Sequence, residues 1–261
     1  EHPYGHTILG TRETVGEMSG EVLREIQQTR YLGENLIVAA AGNLQHQDVV
    51  EQAEALFGHL ASPKESPSIP PIPELAGGVV HEDRKSAQTH LVFGGGAPPH
   101  SDSRRFTLAV LSSALGGGRS SRLFQRIREE LGLAYSVFTF QSFYSMGGIT
   151  GVYVGTRPAT ALKAADAIRH ELAKVASDGL SPEEVEQTKQ QLKGQIMLSL
   201  ESTGARLFRL ARFALHEEPF MTLDQVLKTL DEVNPRLVAD AAAEFLDPDR
   251  LLLMSLGPQP L

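Results

Sequence analysis

The chain has 261 residues with a formal net charge of −8 at pH 7. That balance gives no basic stripe of the kind that tracks nucleic acid, and the Arg206, Arg209 and Arg212 series reads as a solvated helix face. Cysteine is absent, which excludes disulfides, thiolate metal sites and cysteine nucleophiles, and no apolar run approaches the roughly 20 residues of a membrane span. The chain opens with EHPYGH. His2 and His6 have the i, i+4 spacing of a helical metal pair, but Pro3 and Gly5 lie between them, so both read as loop histidines.

The chain is organised by an internal repeat. Thr14–Gly42 aligns without a gap on Thr229–Gly257, at an offset of 215 residues. Each copy begins T-x-x-E, read as a capping box, and has a second cap residue, Ser19 or Asn234. Pro235 follows the second cap at a first helical position. An amphipathic helix comes next, with Val22, Leu23 and Ile26 in one copy and Leu237, Val238 and Ala241 in the other. A short turn then leads to an apolar strand ending in glycine, LIVAAAG or LLLMSLG. If the two copies close similar modules, roughly 150 residues of the first lie upstream of residue 1.

Gln45–Leu60 is expected to be a helix finishing the first module. Residues 62–75 are rich in proline and read as an extended linker. Gly78–Lys85 and Thr89–Gly94 are expected strands. Asp102–Leu115 and Ser120–Leu131 are expected helices. Ala134–Tyr144 and Gly148–Gly155 are expected to form a hairpin. Ala159–Ser177 is helical, and Ser181-Pro182-Glu183-Glu184 is a capping box that starts a long helix. Further helices fill about residues 201–246, and Leu251–Leu256 is the last strand. The pattern predicts an α+β fold with helices packed on a sheet. The expected boundaries are 1–61 for the tail of a first module, 62–75 for the linker and 76–261 for a complete second module.

No catalytic constellation is complete. The chain has no P-loop and no G-x-S-x-G elbow. His81-Glu82 and His216-Glu217 lack the second histidine that H-E-x-x-H or H-x-x-E-H requires. No catalytic residue and no metal ligand is therefore expected within these 261 residues.

One stretch is unusual. Leu115–Val137, LGGGRSSRLFQRIREELGLAYSV, breaks a helix with Gly116, Gly117 and Gly118, resumes as a second helix, and turns through L-G-L into a strand near Tyr135. This stretch resembles the second module of the M16 zinc metallopeptidases, the insulinase and pitrilysin group. The bacterial members similar to mitochondrial processing peptidase resemble it most. HPYGHTILGT resembles the segment that follows the zinc-binding part of that family's first module, so the opening histidines are a landmark rather than a ligand set.

The resemblance implies two homologous α+β modules of mixed sheet with packed helices, the first incomplete here. It implies a zinc endopeptidase acting in an enclosed chamber, with zinc held in the complete protein by residues outside this chain. Arg128 and Tyr135 fall on the family's substrate-binding pair, with implied hydrogen bonds from guanidinium and phenol to the substrate backbone or a developing oxyanion. The loop Gly116–Gly118 either borders the same cavity or is a packing turn. The implied partners are a peptide in extended conformation and a second copy or paired M16 subunit, with neither nucleic acid nor membrane. Two alternatives stay open: a non-catalytic partner subunit that contributes Arg128 and Tyr135, and a structural relative like the core proteins of respiratory complexes. The compartment is open between bacterial cytoplasm and periplasm.

Overall fold

The computed structural model describes residues 2–60, 69–73, 75 and 77–261. Most of the expected linker, residues 62–75, lies outside the described residues. The chain divides into two compact units. The first comprises the described residues of Glu1–Pro73 together with Ser199–Phe220, and the second comprises those of Glu74–Leu198 together with Met221–Leu261. Residues 199–220, expected within the second module, thus fall in the first unit.

In the first unit, α1 (Arg12–Gly16), α2 (Gly20–Arg30), α3 (His46–Phe57) and α7 (Thr203–Leu215) are the helices. Apolar side chains explain why residues 199–220 join it. Leu210, Ala211 and Ala214 of α7 line a cavity of about 300 Å³ with Ile37–Ala40, Leu44 and residues of α3. The expected strand over Leu36–Gly42 is not paired. Its backbone is extended at Leu36, but no ladder forms along it, because a strand needs neighbours and the described residues of this unit offer none.

The second unit holds a five-stranded mixed sheet built from β1 (Gly78–Asp83), β2 (Thr89–Ala97), β3 (Ala134–Phe143), β4 (Gly148–Thr156) and β5 (Leu252–Gly257). The strand order is β1-β5-β2-β4-β3, with β1 and β5 parallel and every other pair antiparallel. The last strand in sequence therefore sits between the first two. The helices are α4 (Arg104–Gly116), α5 (Ala161–Asp178), α6 (Pro182–Ser199, ending at the unit boundary), α8 (Leu223–Glu232) and α9 (Pro235–Phe245). Leu91, Phe93, Val152, Val154 and Leu253 of the sheet share one core with Leu108, Leu111, Ile168, Leu172 and Val238 of α4, α5 and α9. The fold class is α+β, as the element pattern predicts. On the opposite sheet face a rung of Val80, Met254, Val92, Tyr153 and Phe138 crosses all five strands.

The repeat is visible in the helices. Gly20–Arg30 and Pro235–Phe245 stand 215 residues apart at both ends. Their caps are the ones expected: Ser19 Oγ accepts from the Val22 amide at 3.3 Å, and Asn234 Oδ1 from that of Leu237 at 3.1 Å. The T-x-x-E boxes are corrected. Thr14 and Thr229 lie inside α1 and α8, whose N-caps are Thr11 and Thr222. Each inner threonine hydroxyl turns back to an earlier carbonyl instead, Thr11 O or Gln225 O.

Candidate functional site

The site is built where a helix runs into β3. Residues Phe124–Glu130 form a π-helix, wider than the expected α-helix, and its end is marked by the Leu131 amide bonding Arg126 O at 3.1 Å. Gly132 follows with φ +57°, a left-handed conformation that glycine adopts without strain, and the chain reverses into β3. Two contacts hold the helix. Ile127 is fully buried, and Arg122 forks onto Glu184 at 2.6 and 2.7 Å. Glu184 is the last residue of the Ser181 capping box. Its Oε2 accepts from the Ser181 amide at 2.8 Å, and Ser181 Oγ accepts from the Glu184 amide at 3.2 Å. The Arg122 guanidinium, with the Ser181 bonds, holds the Glu184 carboxyl below its ordinary range, and that carboxylate raises Arg122 in return.

Arg128 and Tyr135 meet. The guanidinium carbon of Arg128 lies 4.4 Å from the Tyr135 ring centroid, and Nη1 donates to the Tyr135 carbonyl at 3.0 Å. Phe124, one helical turn earlier, also contacts the guanidinium, whose carbon lies 4.7 Å from its ring centroid. Glu129 Oε1 stands 3.5 Å from Nε. Tyr135 is the residue skipped by the register shift between Ala134 and Ser136, so it has no partner opposite it in β4. This bulge turns its ring outward, and the residue is 77% exposed. A cationic donor group thus lies under an accessible phenol at the sheet edge, on an edge strand, since β3 ends the sheet. Such an arrangement can donate hydrogen bonds to a carbonyl or carboxylate oxygen.

Phe124 was not singled out by sequence. Its only signal is the i, i+4 spacing to Arg128, which elsewhere marks ordinary helix packing. The glycines are placed differently. A Cβ on Gly116 would stand 2.5 Å from the Thr139 backbone nitrogen, so this glycine lets the end of α4 approach β3. A Cβ on Gly117 would meet Ser113 at 2.7 Å, and one on Gly118 would reach only Gln191 Nε2, at 3.4 Å.

The opening histidines have structural roles of their own. His2 Nδ1 accepts from the Tyr4 amide at 3.1 Å, which leaves Nε2 to donate to the Pro70 carbonyl at 2.9 Å. Among the described residues no three His, Asp or Glu side chains gather as a metal site would require. The donor set among the described residues does not fit zinc. Among the described residues no helix is long and apolar enough to cross a membrane.

The family description that matches is the peptidase M16 inactive domain, over residues 17–192. The chain belongs to the peptidase M16 family. Its relatives include an uncharacterized zinc protease of Streptomyces coelicolor, 37% identical over 99% of this chain and 58% of its own length. The uncharacterized zinc protease YmxG of Bacillus subtilis is 32% identical over 97% of this chain and 61% of its own length. The chain therefore spans about three-fifths of the length of these two relatives. Among solved structures, a peptidase M16 inactive domain from Pseudomonas fluorescens superposes with a TM-score of 0.87 at 22% identity. It covers 98% of this chain and 61% of that one. A chain of complex III2 from Candida albicans gives 0.83 at 19% identity, over 97% and 62% respectively. These two likenesses establish the M16 fold.

Proposed function

We propose that this chain is the substrate-binding portion of an M16 zinc endopeptidase whose metal is held by residues outside these 261. Arg128 and Tyr135 are its clamp on an extended peptide. The observation that carries this reading is the pairing of a cationic guanidinium with an outward phenol at the end strand of the sheet, in a family whose relatives are named zinc proteases. The guanidinium and phenol would donate to backbone carbonyls of the peptide or to the oxyanion that develops at the scissile carbonyl. The 261 residues by themselves hold no catalytic zinc and cleave nothing. The Gly116–Gly118 loop is proposed as packing at Gly116 and as cavity border at Gly118.

A second reading, a non-catalytic partner subunit of a peptidase pair that contributes Arg128 and Tyr135, is supported by the family description as an inactive domain. In either case the working assembly is proposed to be a pair, a homodimer or two M16 subunits. Zinc analysis of the product of the complete reading frame, before and after a chelator wash, separates the two readings. About one tightly held zinc per chain, with peptide cleavage that falls about 10²-fold in Arg128→Ala and less in Tyr135→Phe, is the expected result. No zinc would assign the partner role. Zinc with cleavage indifferent to Arg128 would remove the clamp.

A further inference from the structure

We propose that Phe124 is a positioning residue of the clamp, holding Arg128 in the orientation in which its free N–H groups meet a peptide. This rests on the clamp reading above. The geometry is a guanidinium held against two aromatic rings. Its carbon lies 4.7 Å from the Phe124 ring centroid and 4.4 Å from that of Tyr135. The guanidinium is tied at one end by the bond from Nη1 to the Tyr135 carbonyl, and Glu129 stands beside Nε. These contacts leave the Nη2 end and the second Nη1 proton for a ligand.

Both rings matter for what the clamp can bind. An arginine on a flexible stem loses rotamer freedom when it engages a ligand, and a stem already fixed against two rings has lost that freedom beforehand. A guanidinium with open faces also binds aromatic side chains by stacking. With two rings already against its guanidinium, Arg128 offers its remaining N–H donors to oxygen acceptors, which every peptide backbone carries. The clamp then reads backbone rather than side chain. The π-helix contributes by placing Phe124 and Arg128 over the same turn while Gly132 returns Tyr135 to them.

The test uses the complete protein, stripped of metal, and a fluorescein-labelled flexible decapeptide without aromatic residues as probe. Binding is measured by anisotropy, so the result does not depend on turnover. Phe124→Leu removes the ring and keeps an apolar side chain. Phe124→Tyr keeps the ring. Arg128→Ala removes the clamp. We expect Phe124→Leu to weaken binding about tenfold, Phe124→Tyr to stay within about twofold of the parent, and Arg128→Ala to lose at least as much as Phe124→Leu. In arginine-labelled protein, the Arg128 Nε–H resonance should move downfield in Phe124→Leu, where one ring current is lost, and hold in Phe124→Tyr. Arg128→Ala binding like the parent, or a parent that does not bind, would sink the clamp itself. Arg128→Ala weakened with Phe124→Leu unchanged would sink the positioning role alone. Equal loss in Phe124→Leu and Phe124→Tyr would overturn it too, because the ring would then not be what matters.

Discussion

Gly116 and Gly118 are two residues apart and make opposite demands on a substitution. At Gly116 an added Cβ would press to 2.5 Å of a backbone atom of β3, which cannot swing aside. Gly116→Ala is expected to cost about 2 kcal/mol of stability, read as a lower denaturant midpoint at unchanged slope. At Gly118 the nearest atom is the far end of Gln191, so Gly118→Ala should fall within about 0.5 kcal/mol of the parent. Equal tolerance at both positions would refute the packing role of Gly116. The sequence could pose this question, since three glycines break a helix visibly, but not answer it, because the contact is with Thr139 on a distant strand. Arg128 and Tyr135 were legible as a pair only through the family resemblance of their stretch, with the L-G-L turn between helix end and strand start allowing them to meet. Phe124 was not, because a phenylalanine one turn from an arginine looks the same whether it feeds a core or braces a cation. His2 was legible as a loop histidine from Pro3 and Gly5, but its bond to the Pro70 carbonyl was not, because Pro70 is far along the chain.

The fork from Arg122 to Glu184 joins the π-helix to the start of α6 and is the element-scale feature most open to pH. Glu184 is held below the ordinary carboxylate range by Arg122 first, with the bonds from Ser181 adding to it. A carboxyl lowered in the folded state binds fewer protons there than in the unfolded chain. Its contribution is therefore complete above the ordinary carboxylate range and is lost as pH falls through the lowered value. Glu184→Gln should cost about 1 kcal/mol at pH 7, with the difference from the parent shrinking toward zero at the acid end of that window. A difference that is flat with pH, or that grows on acidification, would refute it. Ser181 and Glu184 were readable because a capping box is local. Strand pairing is not local, which is why the matched copies of the repeat part company after their helices. LLLMSLG lies in the sheet between β1 and β2, while LIVAAAG pairs with no strand among the described residues, with Ile37 41% and Val38 49% exposed. Hydrogen exchange on the 261-residue chain should show the amides of Leu252–Gly257 protected and those of Ile37–Ala41 exchanging faster by at least about 10³. Similar protection of the two segments would show that Leu36–Gly42 has found a ladder.

At the scale of the molecule the two units differ in how they are held. An apolar content of 41% announces a core but not its location. Among the described residues, every apolar side chain that is fully withdrawn from solvent belongs to the second unit. In the first, α1, α2, α3 and α7 bury no residue completely, and Ile8 and Leu9 lie open to water. Burial of apolar area is the main force set against chain entropy, so the first unit should open at lower free energy than the second. Brief trypsin digestion of the 261-residue chain tests this with a built-in internal control. Early cuts are expected at Arg12 and Arg24, and at Arg206 and Arg212, all in the first unit and all exposed. Cutting between residues 206 and 212 severs the covalent link between the strands β1–β4 and β5. Yet β5 is hydrogen-bonded on both sides, to β1 and β2, and Leu253 is part of the core. The nicked halves of the second unit should therefore elute together from a sizing column in native buffer and separate only in denaturant. Cuts appearing first within α5, at Lys163, Arg169 or Lys174, would reverse the stability order. Native separation of the C-terminal piece would mean that β5 is not locked between β1 and β2.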